Sequence, residues 1–171
     1  MTKHTGKEVE RKFVLAAAPD GLREHPKKAL AQGYLAIDPA GSEVRVRRKD
    51  DETLMTVKIG TGLVRGEEEF EIDADRFERL WAMTDGRRVI KTRYFVPLED
   101  GLTAEIDLYD GALAGLVTAE IEFPDEATAL AYEPAEWLGT DVTGDIRYNN
   151  RSLAVEGVPS GPAPSAAPGS R

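Results

Sequence analysis

The sequence predicts an α+β fold built on a mostly antiparallel sheet, and three observations predict it. Apolar and polar residues alternate with a period of two through most of residues 7–156. Helical periodicity is confined to a few stretches, and strands and helices do not alternate regularly as parallel βαβ units require. The 171 residues suffice for one domain that buries about two-thirds of its unfolded surface, so the core needs neither disulfides nor structural metal. Cysteine is absent, which removes thiolate nucleophiles, zinc ribbons and iron–sulfur chemistry.

In chain order, residues 8–15, 42–49, 54–59, 66–72, 89–96, 103–109 and 116–123 read as strands, bounded by Pro, Gly or Asp-rich connections. A helix is expected over 73–83, where Phe77, Leu80 and Trp81 fall at i, i+3 and i+4 and Asp75 and Glu78 are spaced as a capping box. A second is expected over 126–138, weakened by Pro134, and a third over 21–32, interrupted by Pro26. Residues 157–171 are Pro, Ala, Ser and Gly with few exceptions. They cannot bury enough apolar area to offset ordering and read as a flexible tail, so the domain is assigned to 1–156.

Lys and Arg number 22 against 31 Asp and Glu, a net charge of −9. Such a chain repels nucleic-acid backbone and acidic membrane surfaces unless its cations are gathered in one place. No apolar run is long enough to span a membrane and none follows the N-terminal lysines. A cytoplasmic protein with neither nucleic acid nor membrane as partner is the expectation.

Each strand splits into two faces, because residues two apart point the same way. One face carries, strand by strand, Glu8, Glu10 and Lys12; Arg45 and Arg47; Lys58; Glu67 and Glu69; Lys91 and Arg93; Glu105 and Asp107; Glu120 and Glu122. The other is apolar, with residues such as Val9, Phe13, Val44, Val46, Ile72, Ile106 and Ile121. Solvated strand faces usually mix Thr, Ser and Gln with charges, whereas this face is almost purely ionic and sorted into acidic and basic strands. Helices packed on the apolar side turn the ionic side inward, into a barrel lumen. Burying so many charges dry is prohibitive, so the lumen holds water or ions. Paired carboxylates repel unless a cation sits between them, and hard divalent ions suit all-oxygen ligands. The basic strands in turn require a polyanion, and a metal-chelated chain of linked phosphates satisfies both halves.

These residues resemble a known family. Glu8-Val9-Glu10-Arg11-Lys12-Phe13 is similar to the ExExK signature of the CYTH superfamily, the triphosphate tunnel metalloenzymes. The likeness continues through Gln32-Gly33-Tyr34-Leu35, Val44-Arg45-Val46-Arg47, Thr56-Val57-Lys58-Ile59-Gly60 and Arg65-x-Glu67-x-Glu69. It goes on in Lys91-Thr92-Arg93-Tyr94, Glu105-Ile106-Asp107, Ala119-Glu120-Ile121-Glu122 and Val142-Thr143-Gly144-Asp145, to about Leu153. The resemblance implies an eight-stranded antiparallel β-barrel, a tunnel with helices packed outside, of which the periodicity displays seven strands.

It also implies one or two Mg²⁺ or Mn²⁺ ions, ligated by Glu8, Glu10 and Glu122 with help from Glu120 and Asp107. Lys12, Arg45, Arg47, Lys58, Lys91 and Arg93 become a phosphate clamp, with Lys12 and Lys91 catalytic as well. Glu69 would activate or position water, and Glu67 and Glu105 would line the tunnel. The implied activity is hydrolysis of a small molecule, inorganic triphosphate, to pyrophosphate and phosphate, since the signature segments resemble the bacterial inorganic triphosphatase branch. Alternatives on the same scaffold are a class IV adenylate cyclase and a thiamine triphosphatase. A non-catalytic polyphosphate-binding module is a further alternative, although pure binding would have no use for Glu8, Glu10 and Glu122. Three signals are set aside: the Gly60–Gly66 segment reads as a hairpin loop, His4 and His25 are isolated, and Ser152 lacks a base.

Overall fold

A computed structural model describes residues 9–60 and 66–161. Its strands are β1 (Val9–Val14), β2 (Lys27–Ile37), β3 (Glu43–Lys49), β4 (Glu52–Ile59), β5 (Gly66–Glu71), β6 (Arg88–Pro97), β7 (Thr103–Tyr109), β8 (Val117–Phe123) and β9 (Thr140–Asp141). All seven strands expected from periodicity are present, and every pairing is antiparallel. They form one sheet in the order β5-β4-β3-β2-β6-β7-β8-β1-β9.

The missing eighth strand is β2, which occupies much of the segment expected to be a third helix. Pro26 ends any helix there, and the following residues hydrogen-bond on both sides, to β3 and to β6. Two open strand edges thus outweigh local helix propensity. Gly33 is needed within β2 because a Cβ there would lie 2.4 Å from Thr84 Oγ1. The ninth strand, β9, pairs only with the end of β1.

Among the described residues no pairing joins β5 to β9, so the ionic face lines a trough with two sheet edges rather than a fully closed ring. The charge pattern gives a reason. β5 is Gly-Glu-Glu-Glu-Phe-Glu and exposed throughout, and laying it beside Glu10 or Asp141 would set like charges opposite one another. Residues 61–65 of the expected hairpin loop lie outside the described residues, but its flanks pair at Ile59 and Gly66.

The helices are α1 (Ala74–Trp81), α2 (Glu126–Ala131) and α3 (Asn150–Glu156). Asp73 caps α1, accepting from Arg76 N at 2.7 Å, so the expected box between Asp75 and Glu78 does not form; Glu78 instead accepts from Arg48. α2 stops at Ala131, short of Pro134, and only a 3-10 turn at Glu136–Leu138 follows. α3 was not anticipated; it is capped by Asn149, whose side chain accepts from Ser152 N, and ends at Gly157.

α1 buries Phe77 against Val46 and Ile72, and α2 buries Ala129 in a cluster with Phe13, Ile106, Ile121 and Phe123. Both therefore cover the apolar side of the sheet. No helix among the described residues is long and apolar enough to cross a membrane.

Candidate active site

Register brings the ionic residues of neighbouring strands side by side on one face. Glu10 stands opposite Glu122, Lys12 opposite Glu120, Glu120 opposite Glu105, and Arg93 opposite Asp107. On the other half of the sheet Lys58 faces both Glu43 and Glu67, and Thr56 faces both Arg45 and Glu69.

The first half is a connected ion network. Lys91 Nζ donates to Asp107 at 2.6 Å, and Arg93 donates to both oxygens of the same carboxylate, from Nε and Nη2, at 2.7 Å each. Arg93 also pairs with Glu105 and, at 2.8 Å, with Glu120, which accepts from Lys12 at 2.9 Å. Asp107 is 0% and Lys91 6% exposed, so this pair sits in the dry part of the protein. Burial disfavours the Glu120 charge, but Lys12, Arg93 and Lys91 outweigh it and hold its carboxyl down at about 2. Burial likewise opposes the Arg93 charge, and Asp107, Glu120 and Glu105 more than compensate, keeping it protonated.

The second half is more open. Arg47 reaches Glu69 at 3.3 Å, Thr56 donates to Glu69 at 2.8 Å, Lys58 lies 3.4 Å from Glu67, and Arg45 donates to Glu43 at 3.2 Å. The Nε atoms of Arg45 and Arg47 are buried without a hydrogen-bond partner. Beside Arg45 is a cavity of about 470 Å³ lined by Tyr34, Glu43, Arg45, Lys58, Glu67 and Asn150, and the side-chain oxygen of Asn150 is also buried and unpartnered. Buried polar atoms are rarely left unsatisfied, so these two Nε–H groups are open to a further acceptor, although each guanidinium already pairs with a carboxylate, Arg45 with Glu43 and Arg47 with Glu69.

At its far end the same face turns apolar. Tyr34, Val89 and Tyr109 pack with Tyr148, Leu153 and Ala154, so the segment leading into α3 stoppers the trough. Burial, followed by the charge of Asp107, pushes the Tyr109 phenol up to about 12. A separate cleft of about 580 Å³, lined by Arg11, Ala129, Leu130, Tyr132 and Asp141, gathers none of the clamp cations.

At the near end the face is acidic. Glu10 and Glu122 are exposed register partners, and Glu122 makes no hydrogen bond or ion pair among the described residues. Glu105 lies one position over; burial raises its carboxyl pKa, Arg93 lowers it, and Glu120, Asp107 and Glu122 raise it further. Carboxylates crowded in this way fit a hard divalent cation by donor chemistry. Glu8, the third expected ligand, lies outside the described residues, and among those described no group of three or more such ligands is assembled. Glu120 and Asp107, expected to assist metal binding, instead have Lys12, Lys91 and Arg93 as partners.

Thus Lys12, Lys91, Arg93, Glu105, Asp107 and Glu120 are brought together, while Arg45, Arg47, Lys58, Glu67 and Glu69 form a second group on the same face. Tyr34, Gln32, Glu43, Thr56 and Asn150 were not anticipated as parts of the site. Gln32 and Tyr34 do fall in a segment that resembles the family, but its assignment as partly helical concealed which face they occupy.

No family model matches the chain. It is 45% identical over 148 residues to the inorganic triphosphatase of Nitrosomonas europaea, covering 86% of this chain and 97% of the relative. It is 40% identical over 151 residues to the inorganic triphosphatase of Acetivibrio thermocellus, covering 86% and 93% respectively. Its fold superposes on the crystal structure of the inorganic triphosphatase NE1496 with a TM-score of 0.77 at 42% identity, covering 90% of this chain and 97% of that one. With such identity maintained over almost the full length of these relatives, the chain belongs to the inorganic triphosphatase branch of the CYTH superfamily.

Proposed function

We propose that this protein hydrolyses inorganic triphosphate to pyrophosphate and phosphate with a divalent metal ion, Mg²⁺ or Mn²⁺. The observation that carries the reading is the convergence of Lys12, Arg45, Arg47, Lys58, Lys91 and Arg93, from four strands, on one inward face with unsatisfied guanidinium nitrogens. The triphosphatases named above support the same substrate.

The clamp works by charge placement. Asp107, Glu105 and Glu120 hold Arg93, Lys91 and Lys12 in fixed orientations, so little reorganisation is needed when phosphate oxygens arrive. Arg45, Arg47 and Lys58 supply the opposite wall. Glu69, steadied by Thr56 and Arg47, is placed to orient a water and take its proton as that oxygen attacks a terminal phosphorus. The bond to the bridging oxygen then breaks, and pyrophosphate leaves with its new negative charge met by the clamp. Glu8, Glu10 and Glu122 would hold the metal, with Glu105 beside them. When bound, the ion supplies Lewis-acid neutralisation of phosphate oxygens.

The test is phosphate and pyrophosphate release from inorganic triphosphate, ATP and thiamine triphosphate, with and without chelator. Equimolar products from inorganic triphosphate, lost in EDTA and restored by Mg²⁺ or Mn²⁺, are expected. Cyclic AMP from ATP as the main product, binding without release, or undiminished turnover in EDTA would each overturn the proposal.

A further inference from the structure

Asn150 is the first residue of α3, fixed by the Asn149 cap before it and by Leu153 and Ala154, buried in the stopper, after it. It lines the 470 Å³ cavity, and its Oδ1 is buried with no hydrogen-bond partner among the described residues. An amide oxygen only accepts, so it calls for a donor. The same cavity is lined by a residue with an orphan of the opposite kind, Arg45, whose Nε–H calls for an acceptor. Arg45, Lys58 and Arg151 stand there against the carboxylates of Glu43 and Glu67, an excess of one positive charge. Arg151 was not among the expected clamp residues. It donates to the Asp38 carbonyl at 3.1 Å and has no ion pair among the described residues.

A ligand that satisfies all of these groups is an anion that carries its own O–H. Orthophosphate does so: at neutral pH it keeps at least one P–OH beside its charged oxygens, whereas sulfate, of the same shape, keeps none. We propose that this cavity is an orthophosphate subsite, in which Arg45 Nε–H and Lys58 hold charged oxygens and Asn150 Oδ1 accepts the P–OH. The inference rests on the triphosphate reading above and names the product that this end of the trough retains. When water attacks the terminal phosphorus, one of its protons passes to Glu69 and the other stays on the incoming oxygen. The bond to the bridging oxygen breaks with its electron pair leaving on pyrophosphate, so the phosphate left behind bears the P–OH. Glu69 stands two residues along the same face of β5 from Glu67, which lines the cavity. A buried acceptor discriminates here, because a sulfate oxygen set against Asn150 Oδ1 would bring two acceptors together with no proton between them.

The experiment uses the full chain with Mg²⁺ at pH 7 and adds inorganic phosphate or sulfate at matched ionic strength. Each anion is scored as a competitive inhibitor of pyrophosphate release from inorganic triphosphate. In the parent, phosphate is expected to compete at least ~10-fold more tightly than sulfate, the effect of one hydrogen bond to a charged group. Asn150→Ala is expected to weaken phosphate by that factor and to leave sulfate unchanged, so that the preference disappears. The side-chain ¹⁵N–H signals of Asn150 in the parent are expected to shift with phosphate and not with sulfate. Equal competition by the two anions in the parent, or a preference that survives in a folded Asn150→Ala, overturns the inference. Should Asn150→Ala fail to fold, the parent's two titrations and its side-chain signals decide. A parent that does not hydrolyse triphosphate defeats the substrate reading instead, a result distinct from hydrolysis without a preference for phosphate over sulfate.

Discussion

Replacing Asp107 by Asn probes whether the clamp is held by buried charge pairing. Asp107 is fully buried and accepts from Lys91 at 2.6 Å and twice from Arg93 at 2.7 Å. The amide keeps the volume but removes the charge and turns two N–H groups toward cationic donors. Arg93 retains Glu105 and Glu120, whereas Lys91 has no other ion pair among the described residues. Breaking a buried pair in this way costs about 3–5 kcal/mol, because a charge is left uncompensated where water cannot reach it. In a domain of this size each kcal/mol moves Tm by roughly 2–4 °C, so a loss of about 6–20 °C is expected. Arg47–Glu69 is the internal contrast: its side chains are 31% and 35% exposed and 3.3 Å apart, so Glu69→Gln should cost no more than about 1 kcal/mol. Circular dichroism melts of the three proteins make the comparison. Added inorganic triphosphate should recover more stability in Asp107→Asn than in the parent, since Lys91 and Arg93 then gain an anionic partner. An Asp107→Asn melt within about 2 °C of the parent, or one no lower than that of Glu69→Gln, would refute buried pairing as the source of rigidity.

Glu122→Ala removes an exposed carboxylate with no hydrogen bond or ion pair among the described residues, so Tm should hold while pyrophosphate release falls by at least ~10²-fold, about 2.7 kcal/mol of barrier. Glu10→Ala, its register partner, should behave alike in activity assays with either metal. Lys12→Ala should cost at least ~10²-fold in kcat/KM and also lower Tm, because Glu120 loses its 2.9 Å partner. Glu120 titrates near 2 in the folded chain against an ordinary 4.5, so its contribution is complete above about pH 4.5 and is lost as pH falls toward 2. The stability gap between the parent and Glu120→Gln, followed by urea unfolding, should close over that window and stay flat between pH 5 and 7.

Strand β7 and its neighbours were legible before any coordinates because alternation needs only adjacent residues: Glu105, Asp107 and Tyr109 share a face wherever that strand lies. The purity of the ionic face then implied its direction, since an apolar face must be covered and α1 and α2 do cover it. β2 was not legible in the same way. Its conformation follows from the edges of β3 and β6 and from the room Gly33 leaves for Thr84, partners distant in sequence. The shared ionic face, as a set of residue types at alternating positions, was already written along the chain. Which carboxylate restrains which cation, and that Tyr34 completes the cavity, depends on register across strands and on side chains that meet only once the sheet has formed. Those interactions are long-range, and local periodicity carries no information about them.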